Sequence, residues 1–378
     1  MTEVTSWGVL YYAFPVLAPS ITADTGWSTP AVTAGFSLGL VVSAVAGVPV
    51  GRLLDRVGPR PVMTGGTLLA VPATLALAAA RTLPEFFAAW IVSGLAMSAV
   101  LYQPAFAALT RWYGPRRVAA LTILTLAAGL ASTVYAPITA ALADHLSWRQ
   151  TYAVLAVLLV LITLPGHWFG LRLPWPPAER EPHRQHYPDA VARSAGFLAL
   201  AAAMSLASLA VYAAVVNLIP LLHQRGLSTS DAALALGLGG VGQVLGRLGY
   251  GRLTAATTVR SRTAIVLLAA AGTIVLLGLL PGPFLVLVIA SMLAGATRGI
   301  VTLLQATAVT DRWGAAHYGR LNGLLSAPST FAAALAPWAG AALAGPLGGY
   351  PAVFCLLGAL ALVAAALATV AVPAVVSR

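Results

Sequence analysis

Charge is what this chain has least of. Asp, Glu, Lys and Arg together make up 8% of its 378 residues, where an ordinary soluble domain carries about 25%. That scarcity excludes a conventional solvated surface. Lysine is absent altogether, so all 21 basic residues are arginines. A single cysteine, Cys355, excludes an internal disulfide. The ten acidic residues are Glu3, Asp24, Asp55, Glu85, Asp144, Glu179, Glu181, Asp189, Asp231 and Asp311, and each falls in a connection or at the end of an apolar stretch. A proton relay through buried carboxylates is therefore not expected. No cleavable signal pattern precedes the first apolar run, which is expected to act as its own insertion signal.

What fills the chain instead is apolar: hydrophobic residues account for 59%. Uncharged stretches near 20 residues recur, such as Pro61 to Ala80 and Ala264 to Leu280. Each is long enough to cross a hydrocarbon core of about 30 Å as a helix. Twelve spans follow, at 5–22, 31–51, 61–80, 86–109, 118–142, 150–171, 196–221, 232–251, 263–280, 284–309, 319–342 and 351–373. The expected class is an all-α integral membrane protein of two six-helix bundles, 1–172 and 195–378. Between them a proline-rich polar linker covers 173–194.

Arginine placement sets the orientation. Sixteen arginines fall in even-numbered connections or at the C-terminus, and only Arg81, Arg149 and Arg225 fall on the opposite side. By the positive-inside rule both termini and the linker are expected to be cytoplasmic. The net charge of +11 thus reports topology. No basic patch interleaved with exposed aromatics suggests a nucleic-acid partner. Exclusive arginine with abundant Ala, Gly and Leu points to a GC-rich bacterial genome, and hence to a bacterial inner membrane.

The chain also echoes itself at an offset of 200 residues. Gly51-Arg52-Leu53 returns as Gly251-Arg252-Leu253, Gly39 as Gly239, and Ala136-Pro137 as Ala336-Pro337. Two copies of one unit are the expected architecture. The turn after the second span reads Gly51-x-x-x-Asp55-Arg56-x-Gly58-x-Arg60. In this it resembles the loop signature of the major facilitator superfamily. The resemblance implies two six-helix bundles rocking about a central site by alternating access, with Gly51, Asp55, Arg56, Gly58 and Arg60 as a cytoplasmic gate. It further implies that Asp55 accepts from a neighbouring helix N-terminus and that Arg56 and Arg60 pair across the bundle seam.

Asp24-Thr25-Gly26-Trp27-Ser28, Ala34 to Leu38 and Gly246-Arg247-Leu248-Gly249-Tyr250-Gly251 are similar to the monocarboxylate and oxalate–formate carriers of that superfamily. Arg247 matches the position at which those carriers bind the substrate carboxylate. Gln243 stands where they often place an Asp, and no lysine matches the one that some carry in helix one or eleven.

Two arginines remain inside spans, Arg247 and Arg298. Each costs about 2.5–3.5 kcal/mol at mid-helix and so calls for an answering group. Arg298 lies about 14 residues, or ~21 Å, from the outer end of its span, too deep for easy snorkelling. An anionic solute would supply the counter-charge, and guanidinium matches carboxylate geometry. Tyr11, Tyr102, Gln103, Tyr135, Asn217, Gln243 and Gln305 could complete the substrate site, although interhelical hydrogen bonding is the commoner role for each taken alone.

Gly35-x-Ser37-x-Gly39 fits the hydrolase elbow and Gly237 to Gly242 the dinucleotide fingerprint, but both lie inside spans. Close helix packing is the expected reading of both. His183 and His186 lack further metal ligands nearby. No catalytic residue, cofactor or metal is expected.

The favoured function is a secondary or facilitative transporter of a small organic anion, monocarboxylate-like. An inorganic anion carrier or an exporter of neutral compounds is the alternative, and a membrane enzyme or sensor a remote one. The expected partners are that solute, the bilayer and a coupled proton or counter-anion, with the chain working as a monomer.

In a Cys355→Ser background, cysteine introduced by Ala190→Cys in the linker should resist a membrane-impermeant maleimide in intact cells. Cysteine introduced by Thr82→Cys should react.

Overall fold

The computed structural model describes residues 1–175, 187–314 and 318–371; His183 and His186 lie outside them. Among these residues there is no strand. Twelve long helices run in chain order. The first six are α1 Thr2–Thr25, α2 Thr29–Val57, α3 Pro59–Ala79, α4 Leu83–Tyr113, α5 Ala119–Ala143 and α6 Trp148–Gly170. Then come α7 Ala195–Val216, α8 Thr229–Ala256, α9 Val259–Leu279, α10 Phe284–Trp313, α11 Tyr318–Ala344 and α12 Tyr350–Thr369. Eleven are long and apolar enough to cross a bilayer, and α11 fills the place of the span expected at 319–342.

Several helices outrun their expected spans. The reason is that a charge ends an apolar run without ending a helix. Thus α2 runs on through Arg52, Asp55 and Arg56, and α4 through Arg111. Side-chain caps set the true starts. Ser28 accepts from the Ala31 amide at the head of α2, and Thr82 with Glu85 forms a capping box at the head of α4.

The 200-residue echo is carried into the backbone. Gly26 and Gly226 both take a positive φ, +70° and +83°, and each is followed two residues later by a serine, Ser28 or Ser228, that accepts from the helix it precedes. Gly114 and Gly314 likewise take a positive φ, +44° and +75°, where α4 and α10 end. A side chain would be strained at each, which is why glycine stands at both copies.

Packing sorts the chain into two compact units, Met1–Arg180 with Leu218–Gly240, and Glu181–Asn217 with Val241–Arg378. The stretch Leu218–Gly240 thus belongs with the first unit, although it follows the linker in sequence. Within that unit Thr133 donates to the Gly237 carbonyl at 2.7 Å. Ser230 donates to Asp144 at 2.8 Å. A Cβ added at Gly240 would collide with the Ser132 and Thr133 hydroxyls. The core of the first unit is aromatic: Phe14 stacks on Phe36 at 4.3 Å, and Trp90 meets both edge-on.

Glycine decides how closely the helices approach. Gly39 of α2 lies against Trp90 and Gly94 of α4, so the hydrolase-like pattern is a packing surface. In the second unit, a Cβ at Gly242 or Gly246 of α8 would land on the carbonyl oxygens of Met292 or Ala296 in α10, and one at Gly299 on that of Gln243. Without a hydrophobic force between helices in lipid, such backbone contact is a main source of association. Gly242 is the last glycine of the dinucleotide-like pattern, which is accounted for in the same way.

Gly242→Ala should destabilise the protein by about 1–3 kcal/mol through overpacking, read as a lower melting temperature in detergent. Gly272→Ala, with nothing within 4 Å of the new methyl, should leave the melting temperature unchanged or raise it.

Candidate functional site

Gln243 and Arg247 are one helical turn apart on α8, as Arg298 and Thr302 are on α10. The glycines just described bring these two faces together. Arg298 Nη2 donates to Gln243 Oε1 at 2.7 Å, and Arg247 Nη2 lies 3.4 Å from Thr302 Oγ1. All three sequence candidates in this group are enclosed: Arg298 is 3% exposed, Gln243 6% and Arg247 9%. Arg298 Nε is buried with no acceptor, and no carboxylate pairs with Arg298 among the described residues. A guanidinium answered by one amide oxygen keeps unused donor capacity.

The same pair of helices carries further polar contacts toward their arginine-rich ends. Tyr250 and Thr307 share a hydrogen bond at 2.9 Å. Arg262 at the head of α9 is buried and ion-paired with Asp311. Arg312 donates to Thr263 Oγ1 at 2.9 Å and to the Ala371 carbonyl at 3.1 Å. Gln305 is half-buried nearby in sequence. Asn217 is fully buried where α7 ends, donating to the Ala213 and Pro337 carbonyls at 2.9 and 3.4 Å. That is a capping role within the second unit.

In the first unit the remaining candidates sit at irregularities of the helices. Tyr11 and Tyr12 fall in a π-helical turn, Gly8–Tyr12. The 100° separation of an α-helix does not apply there, and both rings are buried, 5.1 Å apart. Tyr135 crosses α1 at Gly8, where any Cβ would strike its ring, and its hydroxyl donates to Thr5 at 2.9 Å. Tyr102 follows a break at Leu101 and lies between Trp7 and Phe106, at 4.8 and 5.0 Å. Gln103 is exposed and packs at Gly47. π-Helical turns recur at functional positions, and the break at Leu101 has a signal in Pro104, which cannot donate to the Val100 carbonyl and so interrupts the helix there.

One expectation is overturned here. Glu3 lies at the end of the first span, in the opening turn of α1, yet it is 4% exposed, so a carboxylate is enclosed where none was expected. The first helix simply starts three residues before its apolar run does, which takes the carboxylate inside.

The gate motif also finds partners other than those expected. Asp55 is ion-paired with Arg111, at the end of α4, and not with a helix N-terminus. Arg60 donates to the Trp168 carbonyl at 2.9 Å and lies 4.1 Å over its ring, a contact within the first unit. Arg56 is exposed and makes no ion pair among the described residues. Gly58 takes a φ of +85° beneath Trp175. The Trp175 indole donates to the Asp55 carbonyl at 3.2 Å, and its ring lies 4.4 Å from the Arg111 guanidinium. Gly51 has open space around it.

Sequence reasoning missed Arg111, Trp168 and Trp175. Arg111 had a signal, since Thr110-Arg111-Trp112-Tyr113-Gly114 aligns with Thr310-Asp311-Arg312-Trp313-Gly314 at the 200-residue offset.

Comparison with known proteins places these features in context. The family model of the Major Facilitator Superfamily matches residues 3–283 and 198–377. Monocarboxylate transporter 13 of Bos taurus is 28% identical over 251 residues, 66% of this chain and 56% of that protein. The match thus spans little more than half of that relative's length. Monocarboxylate transporter 4 of Rattus norvegicus is 25% identical over 89% of this chain and 72% of its own. Among solved structures, a bacterial homologue of the human lysosomal transporter Spinster superposes with a TM-score of 0.72 at 15% identity, covering 97% of this chain and 95% of its own. The nucleoside transporter NupG does so with a TM-score of 0.72 at 13% identity, over 96% and 97%. At those identities the structures speak to the fold alone.

Gln243→Leu should cost about 1–3 kcal/mol by stranding the Arg298 donor, while Gln243→Glu should hold or raise the melting temperature by supplying a carboxylate. Thermal melts of the purified variants check both.

Proposed function

This chain belongs to the Major Facilitator Superfamily, and from that premise we propose that it carries a small organic anion of the monocarboxylate kind. It is a multi-pass membrane transporter and not an enzyme. The observation that carries the anion reading is Arg298, buried in α10 with a neutral amide as acceptor and its Nε unanswered. A buried guanidinium without a carboxylate is costly, and an anion arriving with paired oxygens offsets that cost. Arg247, one rung along the same face, adds a second cation within the same unit. The names of the sequence relatives, monocarboxylate transporters, agree with a carboxylate as cargo.

Gln243 in this reading is a resting partner that holds Arg298 in place until the solute displaces it. Tyr11, Tyr102, Gln103, Tyr135, Asn217 and Gln305 are the other candidates for solute contact, and the Asp55–Arg111 pair acts as a gate latch. The transporter works as a monomer in a bacterial inner membrane, with both ends of the chain cytoplasmic, and couples to a proton or a counter-anion.

Uptake of radiolabelled short monocarboxylates into proteoliposomes tests the reading. Arg298→Lys should slow uptake tenfold or more, since a hydrogen bond to a charged group contributes about 1.5–3 kcal/mol. Arg247→Lys should act in the same direction. Unchanged uptake in both variants would remove the arginines from the site.

A further inference from the structure

Glu3 is a buried carboxyl group to which the anion reading assigns no role. It lies in the first turn of α1 at 4% exposure. The donor acting on its carboxylate is the Trp7 indole one turn further on, although their contact falls short of full hydrogen-bond geometry, and the Ser6 hydroxyl is buried without a partner. The elements packed on this part of α1 are α4, α5 and α6. Gly166 of α6 stands so close to Thr2 that a Cβ there would collide with its methyl.

The titratable groups those elements bring are few among the described residues. On α5, Tyr135 is committed to Thr5. On α6, His167 places Nδ1 2.8 Å from Thr67 Oγ1, with Nε2 buried and unpartnered. On α4, Tyr102 stacks on Trp7, and Arg111 is held by Asp55.

A carboxylate enclosed with one neutral donor and, among the described residues, no ion pair keeps much of its desolvation cost, and binding a proton removes the charge that incurs it. The other groups named are held elsewhere: Tyr135 by Thr5, Arg111 by Asp55 and His167 Nδ1 by Thr67. We propose that Glu3 is a proton-binding site of this transporter, occupied while α1 is packed in the first unit, and the group through which pH acts on the carrier. This rests on the chain being a transporter but not on its solute being an anion.

Infrared spectra of the full chain in lipid vesicles test the proposal without any solute. Exposed carboxyls titrate near 4, so at pH 7 a protonated-carboxyl band reports an enclosed one. Only four glutamates occur, Glu3, Glu85, Glu179 and Glu181, so labelling glutamate with carbon-13 identifies the residue class. The expected result is a band at pH 7 that moves with the label and disappears in Glu3→Gln. Wild type without such a band, or Glu3→Gln retaining it, overturns the proposal. Should Glu3→Gln fail to insert, Glu3→Asp should keep a band that no longer moves with labelled glutamate, and a band that still moves would overturn it. The melting temperature of wild type should also fall as pH rises from 6 to 9, with a flatter profile in Glu3→Gln; parallel profiles count against the site.

Discussion

A guanidinium enclosed among apolar helices has to be answered from within the bundle, and the contact between Arg298 and Gln243 is the answer on which the site depends. It exists because α8 and α10 approach at Gly242, Gly246 and Gly299, where a larger residue would push the backbones apart. The hydrogen bond in turn gives the pair a polar reason to stay in register. Packing and polarity are therefore one constraint: close backbones place the side chains, and the charge penalises any slip. An amide suits this role because it satisfies one donor and leaves the guanidinium its charge.

The two copies of the repeat treat their arginine-rich ends differently. In the first, Asp55 pairs with Arg111; in the second, the residue aligned with Arg111 is Asp311, and it pairs with Arg262. The same bridge has been kept with its polarity reversed and with the partner moved to another helix. Exposure separates the two pairs: 20% and 56% for Arg111 and Asp55, against 4% and 23% for Arg262 and Asp311. The wetter pair contributes little and parts cheaply. The enclosed one is costly to break because a single buried charge would remain. The first pair is therefore the easier of the two to separate, and the second the harder.

Much of the architecture was legible in the chain. Apolar run length announced the helices, and arginine-bearing turns marked their ends, while the repeated positive-φ glycines at Gly26 and Gly226 emerged from the backbone. Legibility failed where a charge was used to bound a span. Glu3 was set outside α1, and the ends of α2 and α4 were drawn short of Asp55 and Arg111, because hydropathy marks the apolar run while hydrogen bonding and caps mark the helix. Among the candidate residues, Arg298 was singled out by its rarity at membrane depth, Arg247 by rarity together with its place in the carrier resemblance, and Gln243 as a polar residue at similar depth. Trp175 was not, since a tryptophan in a proline-rich linker carries no periodic signal that it covers Gly58 and Asp55.

What the sequence determined by itself is therefore what depends on composition and local order: a membrane protein of repeated helices, its few interior cations, and the turns that only glycine can make. Those follow from transfer cost and backbone sterics, which act residue by residue. Tertiary structure alone decided the partners. That Arg298 meets Gln243 and not a carboxylate, that Asp55 meets Arg111, and that Tyr135 meets Thr5 depends on which helix faces come together across 55 to 130 positions of chain. No local pattern encodes such distances. They are set by where small residues let helices touch.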